Sequence, residues 1–271
     1  MTIKTLNNVL TQAVSDIESH GYDSQNRVDY WIKSILAIAN QYKDADMMDY
    51  LKRSLGVKYT RLITKGGVQK SHKIPTFTIE KVKPACRAEL DRRIMASANL
   101  IKLNREAAIQ KTIQRFSGWA TSIPVGGSNA IDKNPLKMEL KKPLADLSFV
   151  ERRVAIDQGH KLIGNINNIV ATEAGAVAAI WRSHWRQAGY DYRKDHKDLD
   201  SKIFVIRDNW AMKAGLMKLG GHRYTDDIPM VGEEIYCRCF YEYIYNLRDL
   251  PDEMLTEKYH GKENQVKKVM A

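Results

Sequence analysis

The residues best able to do chemistry gather between Asp191 and Cys239. Asp191-Tyr192-Arg193-Lys194-Asp195-His196-Lys197-Asp198-Leu199-Asp200 is a polar turn rich in carboxylates with one imidazole, and Cys237-Arg238-Cys239 follows some forty residues later. Thiolate and imidazole are the donors zinc prefers, so His196, Cys237 and Cys239 form a candidate ligand set, with His222 or Asp200 to complete a tetrahedron. Two thiolates one residue apart chelate with strain, so the preferred reading is a knot without a cofactor. In that knot Arg193 and Arg238 hydrogen-bond Asp191, Asp200 or backbone carbonyls, and the cysteines pack as small apolar groups.

Acid–base catalysis is open in principle to Asp195, His196, Asp198 and Asp200. Such Asp-rich turns are commonly solvated loops, and the chain has no Gly-rich phosphate loop, no G-x-S-x-G and no H-E-x-x-H. Ser183 and His184 are expected inside a helix, pointing apart, and Cys86 is expected to be buried near a helix start. No catalytic residue is assigned, and the expectation is a protein that is not an enzyme.

The elements that must position these residues are mostly helical. The 271 residues are 44% apolar and 28% charged, which suits a folded chain with a real core. No apolar run is long enough for a membrane helix, and the first ten residues lack the apolar stretch of a signal peptide. Three cysteines, two of them nearly adjacent, argue against a disulfide framework and for a reducing compartment.

Apolar spacing predicts a helix over 3–20 ending at Gly21, and a second from Gln25 to Leu55 with Trp31, Ile35, Leu36, Ile38, Ala39 and Tyr42 on its stripe, ended by Gly56. Residues 57–83 read as short strands around Gly66-Gly67, a basic arm with Lys65, Lys70, His72 and Lys73 at its tip. Pro84 then opens a long helix to about Ala120. Residues 117–143 read as an irregular connection. A capping box at Ser148 and Glu151 starts a helix that Gly164 ends, and another runs from Ile166 to Gln187. Short strands follow at Phe204–Ile206 and Phe240–Tyr245, with a short helix from Trp210 to Met217. The fold class expected is α+β: a mainly helical N-terminal two-thirds and a small α+β C-terminal module. The domains expected are 1–147, carrying the arm (57–83) and the long helix (84–120), then 148–251, then a basic tail over 252–271, polar from Met254 onward and expected to be partly disordered or docked on a partner.

The net charge of +11 is concentrated. Fourteen Lys or Arg stand against four acids between residues 57 and 118, an excess of ten. Such a block attracts polyanions. Lys58, Arg61, Lys65, Lys70, Lys73, Arg92 and Arg93 are the residues placed near nucleic acid; a solvated helix face, or a face meeting an acidic protein, is the other reading.

The order Asp191, Arg193, His196, Leu199, Asp200, Lys202, Phe204, then Cys237, Arg238, Cys239, resembles the signature of tailed-phage minor head proteins, the phage Mu F-like or head morphogenesis family. Its pattern is roughly D-x-R-x-x-H-x-x-L-D-G-K-x-F followed by P-G-x-x-x-x-C-R-C. The resemblance spans about 148–251, including Thr172-Glu173. It departs at Ser201, where the family has Gly, and at Pro229 and Gly232, which are adjacent in the family pattern. The resemblance implies a structural role for this signature and a bacteriophage virion protein, a minor capsid protein in the capsid interior near the portal vertex, present in host cytoplasm during assembly. Its implied partners are the portal protein, other capsid proteins and, by electrostatics, packaged DNA, with an oligomer on the portal ring and no membrane. Its implied role is in head assembly and DNA packaging or ejection. The rival expectation is an intracellular nucleic-acid-binding protein with a small zinc module.

Overall fold

The computed structural model describes residues 3–39, 44–128, 133–189 and 191–262. In chain order they form α1 (Ile3–His20), α2 (Gln25–Ala39), α3 (Asp44–Tyr59), α4 (Gly67–His72), α5 (Thr76–Ala120), α6 (Lys133–Ala145), α7 (Leu147–Glu173), β1 (Ala178–Arg182), α8 (Lys194–Leu199), β2 (Ile203–Val205), α9 (Trp210–Lys213), β3 (Arg223–Tyr224) and β4 (Phe240–Ile244). The fold is α+β and mainly helical, as the sequence predicts. Two compact units interleave along the chain, 1–53 with 94–155 and 54–93 with 156–271, so residues 57–93 of the basic block group with the signature and residues 94–118 with 1–53.

The first unit is helical. Leu6, Leu10, Ala13, Val14 and Ile17 fall on one face of α1 and are buried with Val28, Ile35, Ile113, Phe116 and Leu140. Gly21 ends α1 at φ +73°, and a Cβ there would lie 1.8 Å from the Pro124 carbonyl oxygen, so only glycine fits. Asp16 accepts hydrogen bonds from Arg27 and from the Trp31 indole at 2.7 Å, joining α1 to α2. The expected helix over 25–55 corresponds to α2 and α3; its junction, with Tyr42, lies outside the described residues. Gly56 does not end it, because α3 runs on to Tyr59.

Residues 117–143 are more regular than expected. Ser117 and Gly118 lie within α5, and α6 carries Pro143 near its end. Leu136, Leu140 and Leu144 recur at four-residue spacing on α6 and pack into the core, a stripe that the surrounding Pro, Lys and Asn masked. Ser148 caps nothing. The helix begins at Leu147, and Glu151 pairs with Arg105 of α5 at 2.5 Å instead of closing a capping box.

In the second unit the basic segment is helical, not a hairpin. A π-turn over Thr60–Thr64 leads to Gly66 at φ +68° and into α4. A Cβ on Gly67 would lie 2.7 Å from the Arg61 carbonyl oxygen. The glycine pair therefore serves a close helix–helix turn, the alternative use of the same backbone freedom. Ile79, Val82, Cys86 and Leu90 then bury at helical spacing from Thr76 onward, so α5 begins before Pro84 and carries that proline on its exposed side. Cys86 is buried, as expected.

One helix, α7, replaces the two expected around Gly164. A Cβ at Gly164 would come 3.1 Å from the Val231 carbonyl oxygen, so this glycine admits a passing loop rather than stopping a helix. The helix stops at Glu173, before Gly175 at φ +79°, and residues 178–182 form a strand where a helix was expected. Alanine-rich sequence hides that strand; what makes it a strand is pairing on both sides. The sheet runs β3-β2-β1-β4, with β1 antiparallel to β2 and β4, and β2 parallel to β3. Alternation on β1 sends Ala178 toward Val205, Met217, Ile244 and Met254, and sends Ala179 and Trp181 toward Phe204, Cys237, Cys239 and Tyr241. Asn209 caps α9 through Ala211 and Met212 and ties it to the residue just before β1 through the Val177 carbonyl. The tail expected to be polar from Met254 onward contributes to this core: Met254 and Leu255 are buried, Leu255 bridges Met217, and residues 263–271 lie outside the described set.

Candidate functional site

The site is built on the Trp181 side of β1. Two chain segments meet there, α8 and the extended run entering β4. In that run side chains alternate, so Cys237 and Cys239 turn inward while Arg238 stays exposed. This alternation explains the C-x-C spacing without a chelate requirement. From α8, His196 enters the same pocket and is 5% exposed. His196 Nδ1 lies 3.6 Å from Cys237 Sγ and 3.5 Å from Cys239 Sγ. The Trp181 indole meets the imidazole edge to face at 5.4 Å between ring centres.

Glu234 closes the other side of the imidazole, with Oε2 3.3 Å from His196 Nε2. Arg193 pairs with Glu234 and donates to the Ile235 carbonyl at 3.1 Å. From α7, Asp157 accepts the Tyr236 backbone N–H at 2.6 Å, and Lys161 donates to the Glu233 carbonyl at 2.7 Å. Tyr236 sits at φ +62°, so these clamps hold the loop through a left-handed turn just before the cysteines.

Cys237 is held well below the usual thiol range. The Cys239 thiol donates to it, which is the largest cause; burial opposes, and the backbone N–H groups of Gly232 and Cys239 with nearby His196 lower it further. Cys239 is pushed up, because it supplies that hydrogen bond and is buried. The Trp181 indole N–H and the Ser183 and Tyr241 hydroxyls are buried without a well-formed hydrogen bond. Trp181 and Ser183 both act on Cys239 in the direction that favours its thiolate. Burial raises Tyr241, and the two nearby cysteines raise it further.

The other signature residues divide their roles. Asp200 does not join the cysteines: its carboxylate accepts the Ser183 backbone N–H at 2.8 Å and the Trp185 indole at 2.9 Å, which lowers its pKa. Ser183 and His184 follow β1 in a loop rather than lying in a helix. Ser201 adopts φ +65°, and its N–H bonds the Trp181 carbonyl. The Lys202 carbonyl accepts the Trp181 N–H at 3.0 Å, so Lys202 contributes through its backbone. Phe204 is buried against Trp181, and Leu199 packs at the edge of the same cluster. Asp191 is exposed, and His222 lies beside Glu253. Sequence reading missed Trp181 and Glu234. A buried imidazole facing sulfur needs an acceptor at its second nitrogen, and the carboxylate three residues before Cys237 was a visible candidate.

A cavity of about 690 Å³ adjoins the site, with Cys239, Arg238, His160, His72, Asn167 and Tyr241 among its walls. His72 bridges Tyr245 at 2.6 Å and Asn167 at 3.0 Å. In the basic segment, Arg61, Lys65, Lys70 and Lys73 are exposed, and none forms an ion pair among the described residues. Lys58 lies against Gly159 of α7. Arg92 and Arg93 instead clamp Glu89, which is 7% exposed and also accepts from Asn165 at 2.7 Å.

No protein-family description, no curated protein and no solved structure matches this chain.

Proposed function

We propose that this chain is a minor head protein of a tailed phage, a virion component rather than an enzyme. In this reading it associates with the portal and other capsid proteins, lies inside the capsid near the portal vertex beside packaged DNA, and serves head assembly and DNA packaging or ejection. The observation that carries the reading is the convergence of the two signature halves: His196 meets Cys237 and Cys239 across some forty residues. Ser201 adds support, since the residue at the family's glycine position adopts the left-handed backbone that favours glycine. The imidazole is buried between two sulfurs and a carboxylate, and Asp200 is spent on two N–H donors. Both groups are committed to holding the loops together.

The exposed Arg61, Lys65, Lys70 and Lys73 support proximity to DNA, because unpaired surface cations gain by neutralising phosphate. They equally support the second reading, a nucleic-acid-binding protein acting in the cell. Co-expression with the portal protein of the same phage separates the two. A stable complex on size exclusion is expected for the head protein. Its absence, together with tight DNA binding by the isolated chain, supports the second reading.

A further inference from the structure

We propose that His196, Cys237 and Cys239 bind a zinc ion, with water as the fourth ligand. The metric fit is the first argument. Tetrahedral zinc, with Zn–S near 2.3 Å and Zn–N of about 2.0–2.1 Å, holds nitrogen and sulfur about 3.5–3.6 Å apart. The two sulfurs stand 3.6 and 3.5 Å from one imidazole nitrogen. A neutral imidazole whose Nε2–H faces Glu234 has a single lone pair at Nδ1. That lone pair accepts one S–H, while a metal on the Nδ1 axis takes both sulfurs at nearly equal distance.

The surroundings of the sulfurs are the second argument. Donors surround both: the backbone N–H groups of Gly232 and Cys239 at Cys237, and Trp181 and Ser183 at Cys239. Three buried N–H or O–H groups here lack a well-formed partner. Buried donors left unmatched are costly, and thiolates are the acceptors that match them.

The third argument is the far side of the ring. Glu234 at Nε2, itself fixed by Arg193, reproduces the carboxylate–histidine–metal arrangement that sets the tautomer of a ligating imidazole. Asp195, His196 and Glu234 also cluster closely enough to hold an ion. Glu234 is already neutralised there by Arg193, and Asp195 is exposed, so the sulfur side is favoured. Neither Asp200 nor His222 supplies the fourth ligand, since both have partners elsewhere. The inference does not depend on the virion reading.

The test uses the full-length chain purified without a metal-affinity step. Elemental analysis is expected to give one zinc per chain. Cobalt exchanged into the site is expected to show tetrahedral bands and a thiolate-to-cobalt charge-transfer band. Glu234→Gln retains the sulfur ligands, so it should keep that band while weakening zinc about 10- to 100-fold in chelator competition. The pair Cys237→Ser and Cys239→Ser should lose both metal and band. A folded wild-type chain that takes up neither zinc nor cobalt overturns the proposal, as does cobalt binding without a thiolate band. Zinc retained at full stoichiometry by the double cysteine variant also overturns it.

Discussion

Cys239 Sγ and His196 Nδ1 stand 3.5 Å apart, although forty-three positions separate the two residues in the chain. What joins them is sheet geometry. The β1 strand sits between β2 and β4, so the segments leading into those neighbours, α8 and the Cys-Arg-Cys run, arrive on the same face beside Trp181. Loop clamps from Asp157, Lys161 and Arg193 then fix the turn that delivers the cysteines.

Glycines separate into two kinds, and alanine substitution should tell them apart. Gly21 has a positive φ and no room for a Cβ, so Gly21→Ala should destabilise by more than about 1 kcal/mol. Gly56 and Gly118 lie in helices with nothing near a new Cβ, so alanine there should stabilise by about 0.5–1 kcal/mol. Urea denaturation of the three variants checks the signs. A stabilising Gly21→Ala contradicts the close approach of 124–127 to the end of α1.

The Glu89 clamp predicts a second asymmetry. Burial raises this carboxyl, but hydrogen bonds from Arg93, Asn165 and Arg92 outweigh it and lower the pKa. Glu89→Ala removes the buried acceptor that Arg92, Arg93 and Asn165 share and should cost about 1–3 kcal/mol. Surface pairs such as Lys83 with Glu80 are exposed, and their removal should change stability by less than about 1 kcal/mol. Equal losses at the two sites would show that Glu89 is not a buried anchor.

Much of the helical fold was legible, because α1 and the long helix display their buried stripes at 3.6-residue spacing. The failures share a cause: each turned on neighbours distant in sequence. Residues 178–182 look helical to local propensity and become a strand only because 203–205 and 240–244 pair with them. Gly164 reads as a stop, yet it answers to Val231, far along the chain. At the site, the ligating types were visible from their identities. Glu234 and Trp181 were not, since a carboxylate and an indole are common, and only the folded position of His196 gives them a role.

Stability should fall on the acid side near neutrality. Burial lowers the pKa of His72, against a hydrogen bond that its ring donates to the Asn167 amide oxygen, and lowers that of His160 with help from Arg238 and Lys58. Folded histidines below their unfolded value mean that the unfolded chain binds more protons as pH drops through about 6.5. Their contribution is therefore full above that pH and is lost as pH falls. Melting temperature followed from about pH 8 to about pH 5 should decline, and less steeply in the His72→Gln, His160→Gln double variant. An unchanged slope in that variant would assign the acid sensitivity to other groups.

Charge reversal at Arg61, Lys65, Lys70 and Lys73 should weaken association with duplex DNA and flatten its salt dependence. Each phosphate that is no longer neutralised takes about 0.9 off the slope of log K against log salt. Fluorescence anisotropy across a salt series measures both. Wild-type binding that ignores salt would assign the basic segment to a protein partner.

The proposed virion role is tested most directly by mass spectrometry of density-purified phage particles assembled from the genome that carries this gene, made with and without it. Peptides of this chain are expected in intact particles, retained through nuclease treatment, and cross-linked to the portal. Particles that contain the portal but none of this chain would contradict it.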